Sequence, residues 1–122
     1  MRVLLSIKPE FADLIFSGTK KYEFRRTIFK DPFITKIVVY ASSPVQKVIG
    51  EFEIEDILNC DLEMLWNKTH RYSGITEDFF MSYFNGKKSG FAIKVKKTKL
   101  YKTPKCIRKD FNKIPPQSFL YL

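Results

Sequence analysis

Within the ten residues Ser17 to Arg26, S-G-T-K-K-Y-E-F-R-R, the apolar spacing of the chain changes from that of a helix to that of a strand. Upstream, Phe11, Ala12, Leu14 and Ile15 form a helical stripe behind Pro9, which suits a first helical position because its missing N–H costs nothing there. Gly18 is placed to stop that helix in the left-handed conformation. Beyond it, Tyr22 and Phe24 alternate with Lys21, Glu23 and Arg25, a period of two. A helix that turns at once into a charged strand requires an α+β fold, with different chemistry on the two faces of that strand.

The other segments agree. Arg2 to Ile7 reads as a short buried strand, and Lys36 to Ala41, with its I-V-V-Y-A run, as a strand covered on both sides. Lys47 to Ile57 alternates most clearly, with Val48, Gly50, Phe52 and Ile54 on one face and Ile49, Glu51, Glu53 and Glu55 on the other. Leu62, Leu65 and Trp66 mark a short helix over Asp61 to Lys68, with Trp66 read as core. Thr76 is a good N-cap for a further helix, followed by Glu77 and Asp78 in its first turn and an aromatic stripe of Phe79, Phe80, Tyr83 and Phe84; the phenylalanines are read as core packing.

Gly90 to Tyr101 returns to strand, with a blurred phase at Lys97 to Lys99 that predicts a bulge. If this strand lies beside the acidic one, Lys94 and Lys96 meet Glu51, Glu53 and Glu55 across the sheet. The tail from Thr103 to Leu122 is too apolar to stay in water and is expected to pack. With no repeats or linkers, residues 1–122 are expected to form a single domain.

The net charge is +9, and it is unevenly spread. Residues 1–50 carry nine Lys/Arg against four Asp/Glu, residues 51–86 two against eight, and residues 87–122 eleven against one. A basic chain with an acidic middle fits a nucleic-acid partner, although surface lysines also serve solubility. Cys60 and Cys106 lack paired C-x-x-C spacing and His70 is the single histidine, so neither a metal site nor a cofactor is expected, and both thiols are read as reduced. M-R-V-L-L-S-I is too short for a secretory signal and no apolar run is long enough to span a membrane, so a cytoplasmic location is expected.

Gly18, Lys20, Glu23 and Arg25 together meet the pattern G-x-K-x-x-E-x-R, and with V-V-Y-A-S-S-P and V-I-G-E-F-E-I downstream the chain resembles the ASCH (ASC-1 homology) domains of the PUA-like superfamily. The resemblance implies a small mixed β-barrel of about five to six strands with two to three helices at its openings, and a basic cleft, lined by the motif, that binds RNA or another nucleic acid. A regulator of transcription or translation would fit such a domain.

On chemical grounds Lys20 and Arg25 can hold phosphates, Arg25 with a planar fork, and Glu23 can order Arg25 or accept from a base amine. Single-stranded or looped RNA is the natural target, because its unstacked bases can lie on aromatics such as Tyr83 or Tyr40. Lys8 and the Ser42-Ser43 pair are further binding candidates. The plainer reading makes Ser42-Ser43-Pro44 a turn, and Glu23 and Arg25 a surface ion pair.

The alternative is a hydrolase acting on a modified nucleoside or on RNA, with Lys20, Glu23 and Glu77 as the catalytic candidates. Some similar small domains are amidohydrolases of acetylated cytidine. That branch carries a threonine where this chain has Glu23, and Lys20 would need a lowered pKa, which Glu23 opposes. Everything turns on whether the chain after Gly18 brings Lys20 to the side that Glu23 and Arg25 share.

Overall fold

The computed structural model describes residues 1–122. In chain order the elements are β1 (Arg2–Ile7), α1 (Pro9–Phe16), β2 (Tyr22–Arg25), β3 (Lys36–Ala41), β4 (Lys47–Asp61), α2 (Leu62–Thr69), a 3-10 turn (His70–Tyr72), α3 (Glu77–Tyr83), β5 (Ser89–Lys105), α4 (Ile107–Phe111) and β6 (Phe119–Tyr121). The six strands form one curled sheet in the order β2-β5-β4-β3-β1-β6. It is mixed, because β1 runs parallel to β3 while the other neighbours are antiparallel. The expected α+β fold with a small mixed barrel-like sheet is present as a curled half-barrel of six strands, with four helices rather than two or three.

Local signals placed the elements. Pro9 begins α1 and Asp61 and Thr76 cap α2 and α3, their side chains accepting from Met64 N and Phe79 N. Gly18, with φ of +87°, ends α1 as expected.

β1 and β3 are buried on both faces. Val3, Leu5, Ile37 and Val39 join one core cluster with α1, while Leu4, Val38 and Tyr40 join a second under Ile107 of α4 and the C-terminal residues. A third cluster, built on Phe24, Leu65, Phe80, Phe84 and Ala92, fixes α2 and α3 against β2 and β5. Trp66 packs on it, 4.9 Å from Phe80 between ring centroids.

Three expectations need correction. β2 has no solvent face: Glu23 and Arg25, opposite Phe24, are 6% and 9% exposed, because the C-terminal tail crosses over that side. The lysine ladder between β5 and β4 forms only in part. Lys94 pairs with Glu55 at 2.8 Å, but three register shifts carry Glu51 opposite Lys99, and Glu51 bonds Lys36 and Tyr101 instead. One of those shifts falls at Thr98, where the blurred phase predicted a bulge.

Phe79 is the third correction, since it is not core. Phe80 and Phe84 are fully buried, whereas Phe79 is 38% exposed and lines a cavity together with Tyr83.

Candidate nucleic-acid interface

A cavity of about 780 Å³ opens between the start of α1, β2, the β3–β4 turn, α3 and the tail. Lys8, Lys20, Glu23, Arg25, Ser42, Ser43 and Tyr83 all line it, so the structure brings together every binding candidate of the sequence. Glu77 is not among them; it stays exposed on the first turn of α3, where it serves the helix dipole.

Lys20 is the centre of the site. After Gly18 reverses the chain, Lys20 N donates to Leu14 O, and Lys21 is held by backbone bonds to Tyr72 and Val95. The Lys20 side chain is thereby turned inward and left only 2% exposed. Its aliphatic stem lies on Gly74, where a Cβ would sit 2.8 Å from Lys20 Cβ. Its Nζ donates to Ser73 O at 2.5 Å and sits 4.9 Å and 5.4 Å from the ring centroids of Phe24 and Phe11. Burial lowers the pKa of this lysine from 10.5 to about 8, against the opposing pull of the Glu23 carboxylate.

Arg25 is tied into the protein rather than free in the cavity. Its Nη1 donates to Glu23 Oε2 at 3.2 Å and Ser6 O at 3.3 Å; its Nη2 donates to Ser118 Oγ at 2.7 Å and Ser118 O at 3.2 Å. The Glu23–Arg25 pair is therefore buried, not a surface pair. The second Glu23 oxygen has no protein partner, and no buried polar atom lacks one, so it is open to the cavity.

The Tyr83 hydroxyl donates to Phe24 O at 3.1 Å, and burial raises its pKa. At the mouth, Phe79 meets Phe11 edge-on at 5.3 Å, with Lys8 Nζ 5.7 Å from its centroid. Ser42 and Ser43 form the β3–β4 turn and a wall of the cavity at once. No group of three or more His, Cys, Asp or Glu is placed to hold a metal, both cysteines are free, and no helix is long and apolar enough to cross a membrane.

Sequence reasoning missed Ser73, Gly74, Phe79 and Ser118. Ser118 falls in the tail that is expected to pack, but no local signal joins it to Arg25, and none joins Ser73-Gly74 to Lys20.

The chain is 34% identical over 124 residues to an ASCH domain-containing ribonuclease of Zymomonas mobilis, a match spanning 98% of this chain and 82% of that protein. The crystal structure of ASCH from Zymomonas mobilis superposes with a TM-score of 0.90 at 32% identity, covering 99% of this chain and 87% of the other. A further relative, the ATP synthase subunit alpha of Ureaplasma parvum, is 32% identical over 98% of this chain, which spans only 15% of that protein. The profile of the ASCH domain matches residues 5–102, over the motif and the sheet that carries it, and the chain belongs to the ASCH domain family.

Proposed function

We propose that this protein binds single-stranded RNA in the Lys20–Glu23 cleft and cleaves it there. The observation that carries the reading is Lys20, an ammonium with a pKa of about 8 held over two aromatic rings beside a carboxylate, in a cavity large enough for a nucleotide. The similarity to a ribonuclease over nearly the whole chain supports it.

In this reading the 2′-hydroxyl attacks the adjacent phosphorus, and its proton passes to the open Glu23 oxygen. A bond from O2′ to phosphorus forms and the bond from phosphorus to O5′ breaks, leaving a 2′,3′-cyclic phosphate. Lys20 stabilises the charge on the phosphoryl oxygens and gives its proton to the departing O5′. Lys8 is the exposed cation at the mouth for the flanking phosphate, Ser42 and Ser43 offer hydroxyls, and Phe79 offers a ring for a base. Arg25 acts as a positioning residue, since both its terminal nitrogens already have protein acceptors.

The test compares one labelled sequence as RNA, as DNA and as 2′-O-methyl RNA. Cleavage of the RNA alone, with a cyclic phosphate product and a loss of about a hundredfold or more in Lys20→Gln, is the expected result. Salt-sensitive binding without scission would reduce the function to recognition. Absence of salt-sensitive binding to any single-stranded RNA would overturn the proposal.

A further inference from the structure

In the C-terminal third Lys94 is paired with Glu55, but Arg108, Lys109 and Lys113, and Lys47 at the start of β4, take part in none of the three ion pairs of the molecule. These four are exposed. Lys47 follows Gln46, a cavity-lining residue, and Val48 pairs with Lys105, the last residue before the α4 segment. Asp110, the one acid nearby in sequence, has its carboxylate engaged by Cys106 N at 2.8 Å.

Behind α4 lies a second hollow of about 300 Å³, lined by Arg108, Asn112, Lys113 and Ile114. Its lining adjoins that of the cleft along the chain, because Ile114 lines the hollow and Pro115 and Pro116 line the cleft. Consecutive Cα atoms lie about 3.8 Å apart, so the hollows are neighbours across a ridge. That ridge is held in place, because Ser6 Oγ donates to Pro116 O at 2.6 Å and Lys113 N to Ile107 O at 3.3 Å. Ile114 at its crest is 71% exposed, an apolar side chain that shares the hollow with Arg108 and Lys113.

We infer that the hollow formed by Arg108, Asn112, Lys113 and Ile114 is a further nucleotide subsite, taking the phosphate and base of the nucleotide next to the dinucleotide held in the main cleft. This rests on the RNA-binding reading above. Arg108 and Lys113 supply charge to the phosphate, Asn112 supplies an amide, and Ile114 supplies an apolar surface for sugar or base. The strand thus crosses the Ile114–Pro116 ridge and continues along the Lys47 side of the molecule. The site reads no sequence through charge; it sets which length of strand binds well.

The experiment measures binding of a dinucleotide and of a single-stranded RNA of about twelve nucleotides to the protein and to the double variant Arg108→Gln/Lys113→Gln, across a salt series. For the longer RNA the double variant should lose about tenfold in affinity, and the slope of log K against log salt should shrink by about 0.7, for the one phosphate released. Dinucleotide binding should not change. Ile114→Ser should weaken the longer RNA about threefold with the slope intact, as loss of apolar contact requires. Equal affinity and slope for the double variant and the parent protein on the longer RNA would overturn the subsite while leaving the main cleft standing. An equal loss on the dinucleotide would also overturn it, by placing the effect in the main cleft. A parent protein that binds neither RNA would overturn both readings together.

Discussion

Arg25 and Ser118, far apart in the chain, are joined through one guanidinium nitrogen, with Nη2 donating to Ser118 Oγ at 2.7 Å and to Ser118 O at 3.2 Å. The same side chain holds Glu23 and Ser6, so the strand that carries the motif, the first strand and the tail close around one cation. Lysine in this place lacks the fork needed to serve them all. Arg25→Lys should lower stability by about 2 to 4 kcal/mol in urea unfolding. Amides of residues 117–122 should also exchange faster with solvent. Unchanged exchange there would show that the tail does not depend on this clasp.

Lys20 sets a pH dependence of stability. Because its pKa falls from 10.5 to about 8 on folding, the unfolded chain binds this proton more tightly between those values, and stability rises with pH across that window. Below about pH 8 the folded state carries the whole penalty, of order 3 kcal/mol. Lys20→Met removes it and leaves Ser73 O without its donor, at a cost of about 1 kcal/mol. The variant should be about 2 kcal/mol more stable than the parent near pH 7, with the advantage fading toward pH 10.5, as read by denaturant unfolding at both pH values. Equal stability near pH 7 would contradict the burial of a charged lysine.

The same group gives the cleavage reaction an alkaline limit. If Lys20 donates a proton to the leaving oxygen, the rate should fall about tenfold per pH unit above about pH 8, while Lys20→Gln shows no such limb. A flat profile through this range would assign the proton transfer elsewhere.

Gly74 and Gly86 separate backbone strain from displacement of Lys20. Both have positive φ, +69° and +85°, but a Cβ at Gly86 meets nothing within 4 Å, whereas at Gly74 it lies 2.8 Å from Lys20 Cβ. Gly86→Ala should cost about 1 kcal/mol and leave RNA cleavage intact. Gly74→Ala should cost more and reduce cleavage at least tenfold, a difference that thermal unfolding and a rate assay read together.

Two aromatic residues of the cleft should behave oppositely. Tyr83→Phe loses the bond to Phe24 O and should cost about 1 kcal/mol of stability with little effect on RNA affinity. Phe79→Ala removes an exposed ring and should leave stability nearly unchanged while weakening RNA binding by about 1 to 3 kcal/mol, as titration of a labelled strand would show.

What the sequence by itself determined here is local. Pro9 and Gly18 bound the first helix, Thr76 caps the third, the I-V-V-Y-A run is a doubly covered strand, and alternation from Lys47 marks the long one, because each depends on backbone preferences or on side chains a few residues apart. The motif also identified which residues would meet. Only the tertiary structure decided how. The Ser73-Gly74 turn, 53 residues from Lys20, buries its ammonium, and Ser118, 93 residues from Arg25, occupies its guanidinium. Three register shifts along β4 and β5 rearranged the charge pairs that strict alternation would have made. Period-two spacing reports which face a side chain takes, but burial and ionisation depend on what packs over that face, and here it is supplied by chain segments with no local tie to the motif.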